Sequence, residues 1–106
     1  MGVFVICAYR PKRGMEKQLR KILKDHLPIL RREGLATRRP SYAMRAADGT
    51  FVEVFEWESA AAIERAHENP TVKAMWARFD EACTYESLAN LAESKRLFSD
   101  FEPVDL

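Results

Sequence analysis

The stretch "DGTFVEVFEWES", Asp48 to Ser59, decides how this chain is read. Asp48-Gly49 is a strong hairpin signal, because the tight turn joining two antiparallel strands favours residues that accept positive φ. Behind it, Phe51, Glu53, Phe55 and Trp57 alternate with Val52, Val54 and Glu56, the two-residue period of a strand. A hairpin needs an earlier arm, and Thr37 to Ala46 supplies one. Pro40, Tyr42, Met44 and Ala46 share one of its faces, Arg39, Ser41, Ala43 and Arg45 the other, with Pro40 at an edge or bulge.

Upstream, Val3 to Arg10 is β-branched and aromatic on both faces, as a central strand is, and Pro11 ends it. From Lys12 to Glu33, Met15, Leu19, Ile22, Leu23, His26, Leu27 and Leu30 recur at three and four, one stripe of an amphipathic helix that Gly34 stops. Pro28 removes a backbone donor inside that helix and predicts a kink or an opened last turn close to His26. Downstream, Ser59 caps a short helix, "AAAIERAHE". Asn69 then caps another that begins at Pro70, with Val72, Met75, Trp76, Phe79, Ala82 and Cys83 as its apolar stripe. Ser87 starts a further turn or two, and Arg96 to Val104 alternates again as a closing strand.

The predicted order is βαββαβ: an α+β fold of ferredoxin-like type, an antiparallel sheet with helices on one face. Residues 1–106 read as a single domain, without repeat or linker. Apolar residues are numerous on both faces of the strands, so the face without helices is expected to meet a second copy of the chain.

Bulk properties narrow the function. The longest apolar run, "VFVICAY", is seven residues, against the roughly 18 to 20 needed to span a bilayer, and no basic segment precedes it as in a signal peptide. The start "MGVFVI" has Ile6 where a myristoylation signal needs a hydroxyl residue. The expectation is a cytoplasmic protein without a membrane partner. Cys7 and Cys83 have no ligand spacing and read as buried free thiols in a reducing compartment. Two histidines 41 residues apart make no metal motif, so no metal is expected. Charge is segregated: residues 1–47 hold 12 Lys or Arg and 3 Asp or Glu, the remainder 5 and 13. The segregation suits a basic first helix facing an acidic second half, or a patch for anions.

With these elements placed, "VEVFEWES", "AAIERAHENPTVKAMWARF" and "LFSDFEPV" resemble, over nearly the whole chain, the antibiotic biosynthesis monooxygenase-like domains of the dimeric α+β barrel superfamily. The motif that carries the resemblance is a Trp ending the third strand, a short helix, a His-x-x-Pro-x-Val bend and an apolar helix. It implies a homodimer whose sheets close one barrel, with a pocket between sheet and helices. Some members oxidise aromatic substrates with oxygen and no cofactor, others bind and break haem, and others have no assigned role. Trp57 matches the strand-end Trp that lines the pocket. The haem-degrading members place an Asn on the first strand and a His on the helix after the bend. Here the strand has no Asn and the His position holds Trp76, which cannot ligate iron.

The resemblance therefore points to a cofactor-independent monooxygenase-type protein that binds a small aromatic or apolar molecule. Such chemistry needs a base for a phenol and donors for its anion. The candidates are His67 and His26 as base, Asn69, Tyr42 and Arg39 as donors, and Trp57, Trp76 and Phe55 as stacking walls. Each also has a plainer reading: Asn69 as a helix cap, the aromatics as core, the histidines as surface or satisfied core residues. Glu53, between Phe51 and Phe55, must pair, stay wet or shift its pKa, and pairing with Arg39 or Arg45 across the hairpin is the plain expectation. A non-catalytic barrel that holds a ligand or partner is the alternative function. Nucleic acid is disfavoured, because Asp48, Glu53, Glu56 and Glu58 would repel phosphates on a strand that otherwise imitates an RNA-recognition motif.

Overall fold

The computed structural model describes residues 1–106. Its strands are β1 (Val3–Pro11), β2 (Tyr42–Arg45), β3 (Phe51–Trp57), β4 (Cys83–Glu86) and β5 (Glu102–Pro103); its helices are α1 (Glu16–Arg32), α2 (Ala60–Ala66) and α3 (Pro70–Ala82). The strands form one antiparallel sheet in the order β4-β1-β3-β2-β5. This is the ferredoxin-like α+β arrangement, with a short fifth strand added beside β2. No helix is long and apolar enough to cross a membrane.

Register sets the faces. Val5 opposes Phe55, Cys7 opposes Glu53 and Tyr9 opposes Phe51 on the side that meets the helices. α1 lays Leu19, Ile22, Leu23, Leu27 and Leu30 against that side, and α3 adds Val72, Met75 and Phe79. On the other side Phe4 opposes Glu56 and Ile6 opposes Val54. There a smaller cluster of Ala8, Ala46, Val52 and Leu91, flanked by Leu88 and Phe101, covers part of the sheet.

Local chemistry explains most boundaries. The Ser59 hydroxyl accepts from the Ala62 amide and the Asn69 side chain from the Val72 amide, so each caps its helix as its residue type predicts. Gly34 takes φ 73° just past α1, and Gly49 φ 93° in the hairpin turn, conformations that a Cβ would strain.

Five expectations are corrected. The first helix starts at Glu16 rather than Lys12, because Gly14 (φ 78°) and a turn closed from the Met15 amide to the Lys12 carbonyl come first. The first hairpin arm narrows to Tyr42–Arg45, since residues 38–41 around Pro40 bend without pairing. Pro28 lies inside a continuous α1. The closing strand read over Arg96 to Val104 narrows to Glu102 and Pro103, which pair with β2, and an unexpected strand, β4, follows α3 without a linker and pairs with β1. Cys83, read as part of a helix stripe, is the first residue of that strand.

Candidate functional site

β3 points Phe55 and Trp57 under the helices, and β1 sets Val5, Cys7 and Tyr9 beside them. α3 contributes Trp76 and Phe79, β4 contributes Tyr85, α1 contributes His26, and His67 stands at the bend before α3. Together they line a cavity of about 350 Å³, within the usual range for small-molecule sites. None of its ten lining residues is Lys, Arg, Asp or Glu. A charged ligand would find no counter-ion there.

Behind the cavity wall, three residues from three elements meet. Glu53 Oε1 accepts the Tyr9 hydroxyl at 2.9 Å and contacts His26 Nδ1 at 2.8 Å. All three residues are only 3% exposed. Both contacts converge on one oxygen, the arrangement of a carboxylate accepting twice, and this places the imidazole proton on Nδ1. In the neutral ring Nε2 is then the acceptor. It has no partner in the chain, yet it is not sealed off: Thr50 Oγ1 is the only buried side-chain polar atom with neither partner nor solvent contact. His26 lines the cavity, and with Nδ1 taken by Glu53 its free nitrogen is Nε2.

Aromatic rings hold the imidazole in place. Phe55 and Phe79 meet it edge-on, with centroids at 5.4 and 5.1 Å, and Tyr9 stacks on Phe79 at 5.0 Å. Burial, and after it the negative charge of Glu53, pushes the Tyr9 phenol well above its ordinary value, so Tyr9 remains a donor. Burial likewise pushes the Cys7 thiol up to about 11 and the Tyr85 phenol up to about 12. The hydroxyl and thiol groups of the cavity are therefore neutral donors, with His26 on its inner wall and His67 at its rim.

Of the residues singled out from sequence, His26, His67, Trp57, Trp76 and Phe55 come together along this cavity. His67 is exposed, donates from Nδ1 to the Ile63 carbonyl at 2.8 Å and stands 5.0 Å from the Trp76 ring, placing it at the rim. Glu53 supports the site from behind, paired with His26 and Tyr9 and with neither Arg39 nor Arg45. Those arginines are engaged elsewhere, Arg39 with Glu56 and Arg45 with Glu16 and Glu102. Asn69 has both ends of its amide occupied, by the Val72 amide and by Glu33. Tyr42 opposes Val54 on the other face of the sheet and is 64% exposed. Asn69, Tyr42 and Arg39 thus lie outside the cavity.

Sequence reasoning did not propose Val5, Cys7, Tyr9, Phe79 or Tyr85 for the site. The signal for the first three was present, since pairing the first strand with the third puts Cys7 opposite Glu53. Tyr85 was hidden because its strand was not recognised.

Among solved structures, the fold matches that of Rv0793 from Mycobacterium tuberculosis, with a TM-score of 0.63 over 87% of this chain and 99% of that one. The two chains are 21% identical, a level that shows a shared fold alone. No protein-family model and no curated protein matches the chain.

Proposed function

We propose that the protein binds a flat, neutral, hydroxyl-bearing aromatic molecule in the cavity and acts on it as a cofactor-independent monooxygenase-type enzyme. The observation that carries this reading is a cavity without Lys, Arg, Asp or Glu in its lining, on whose wall His26 stands with Nδ1 held by a buried carboxylate. The Nε2 acceptor takes the ligand's hydroxyl proton; the neutral Tyr85 and Cys7 donors steady the anion. The electron-rich anion then reacts with oxygen. A ring CH₂ becomes C=O, one atom of O₂ entering the product and the other leaving as water.

The test uses 1-naphthol as the probe, with calorimetry for binding and an electrode for oxygen uptake. Trp57→Ala should weaken 1-naphthol binding about tenfold, as expected for loss of a large aromatic wall worth ~1.4 kcal/mol. A naphthalenesulfonate of the same size should bind more weakly than the alcohol. Unchanged affinity in a folded Trp57→Ala protein overturns the site. Binding without oxygen uptake from a hydroxylated anthrone reduces the protein to a ligand-binding barrel.

Phe4, Ile6 and Tyr42 are 57%, 52% and 64% exposed on the sheet face away from the helices. That apolar patch supports pairing with a second copy of the chain. Sedimentation should give a dimer for the native protein and a folded monomer for Ile6→Lys; a native monomer removes the pairing.

A further inference from the structure

The two oxygens of Glu53 have different surroundings. Oε1 is held by Tyr9 and His26. Oε2 meets no donor of the chain, and it is not sealed from solvent. Glu53 does not line the aromatic cavity; it lines a separate cleft of about 370 Å³ between α1 and β2, whose walls include Lys24, Leu27, Arg31, Ser41 and Asp105. A carboxylate kept only to hold its neighbours is expected to have both oxygens bonded, because a bare buried oxygen is destabilising. Here the second oxygen has no partner in the chain, and the cleft is the open space that Glu53 lines. Glu53 stands in a wall with the cavity's histidine on one side and polar, open space on the other.

We propose that His26 and Glu53 form a proton relay through this wall, connecting the aromatic cavity to the cleft at the β2 edge. The purpose of the relay rests on the reading of the cavity given above; its existence does not. When a ligand hydroxyl loses its proton, the O–H bond breaks and an N–H bond forms at His26 Nε2. The Nδ1–H proton passes to Glu53 Oε1. A half-turn of the carboxyl group about its last side-chain bond, a soft two-fold torsion, carries the new O–H to the cleft. Water there takes the proton and restores the carboxylate; the same steps in reverse return a proton to the cavity when the product hydroxyl re-forms, and reset the proton on Nδ1. The route lets the cavity shed a proton without admitting water to the apolar side.

The charged and titratable groups around Glu53 are compatible with that route. From β1 come Tyr9 and Cys7, both held protonated. From α1 come His26 on the cavity side and Lys24 and Arg31 on the cleft side, and Asp105 stands on the cleft's far wall. Arg31 is already committed to the Thr37 and Arg39 carbonyls, at 2.8 Å each, and does not compete for Oε2.

The relay is tested on the full chain without ligand, by nuclear magnetic resonance measurement of how fast the His26 Nδ1 proton exchanges with water. Glu53→Gln keeps an oxygen that accepts from both Tyr9 and His26 but cannot carry the proton, and should slow exchange at least tenfold. Ser41→Trp, which fills the cleft, should slow it similarly. Val5→Trp, which fills the aromatic cavity, should leave the rate within about twofold. Native exchange in Glu53→Gln, or exchange blocked by Val5→Trp, overturns the relay; should Glu53→Gln not fold, Ser41→Trp decides alone. Because no ligand is used, these results stand apart from the naphthol measurements, and either proposal can fail without the other.

Discussion

β3 carries two glutamates three residues apart, on opposite faces of one sheet, and the fold treats them differently. Glu53 lies under the helices, bonded to His26 and Tyr9, which arrive from other elements. Glu56 lies on the outer side, where the Thr37 hydroxyl and the Arg39 guanidinium each reach it at 2.8 Å and Arg39 is itself largely exposed. Both sit in apolar strand surroundings and both are more than nine-tenths buried. What separates them is what covers them. Under the helices a carboxylate can only be satisfied by side chains brought from far along the chain, and those partners are then fixed in position. At the outer face a threonine hydroxyl and an exposed arginine suffice, both from the segment just before β2.

The sharpest way to test this contrast is to compare the two faces by truncation. Phe79 is 1% exposed and touches both His26 and Tyr9. Phe79→Ala should cost about 3–5 kcal/mol in denaturant unfolding, against less than about 1 kcal/mol for Ile6→Ala on the half-exposed outer face. Comparable losses would mean that the outer face is as well packed as the inner one. The glutamates themselves come next. Glu53→Ala strands a buried phenol and a buried imidazole N–H and should cost about 2–4 kcal/mol. Glu56→Ala releases Arg39 to water and should cost about 1 kcal/mol or less by the same measurement.

A smaller effect concerns alkaline pH. The Cys7 thiol, ordinarily near 9.0, is held to about 11 in the fold, chiefly by burial. Between those values the folded chain keeps a proton that the unfolded chain has lost, so stability falls as pH rises through the window. The Cys7 share is roughly 3 kcal/mol at about 1.4 kcal/mol per unit. Unfolding midpoints followed from pH 8 to 11 should decline more shallowly in Cys7→Ala. An identical slope would place Cys7 in contact with solvent rather than inside the wall.

How much of this could be read in advance varies by element. The alternation from Phe51 to Trp57, the Asp48-Gly49 turn and the Ser59 and Asn69 caps are local signals, and each sits where its chemistry directs. β4 gave no such warning. "CTYE" follows α3 with neither Gly nor Pro between them, and four residues are too few for alternation to register. Cys83 even keeps a helix-like contact, its thiol donating to the Phe79 carbonyl, which is why it fitted the helical stripe. The segment from Arg96 alternates but exposes Leu97 and Phe98 almost fully and pairs at only two residues, so its pattern did not report burial. At the candidate site Phe55, Trp57 and Trp76 were legible in advance, and Tyr9, Phe79 and Tyr85 were not. Nor was the partner of Glu53. His26 lies 27 residues away in sequence, and only the packing of α1 across β3 brings it within reach of that carboxylate, whereas hairpin logic pointed to the arginines of the neighbouring strand.

The sheet's margins constrain how the molecule meets others of its kind. Its two outermost strands are stubs, four residues at β4 and two at β5, the latter containing Pro103, which has no amide to offer. A stranger's strand finds little backbone to extend, and growth of the sheet from chain to chain is denied a template. The proposed pairing would therefore rest on side chains meeting across the flat of the sheet, a contact whose strength is set by apolar area and which concentration alone would form or dissolve.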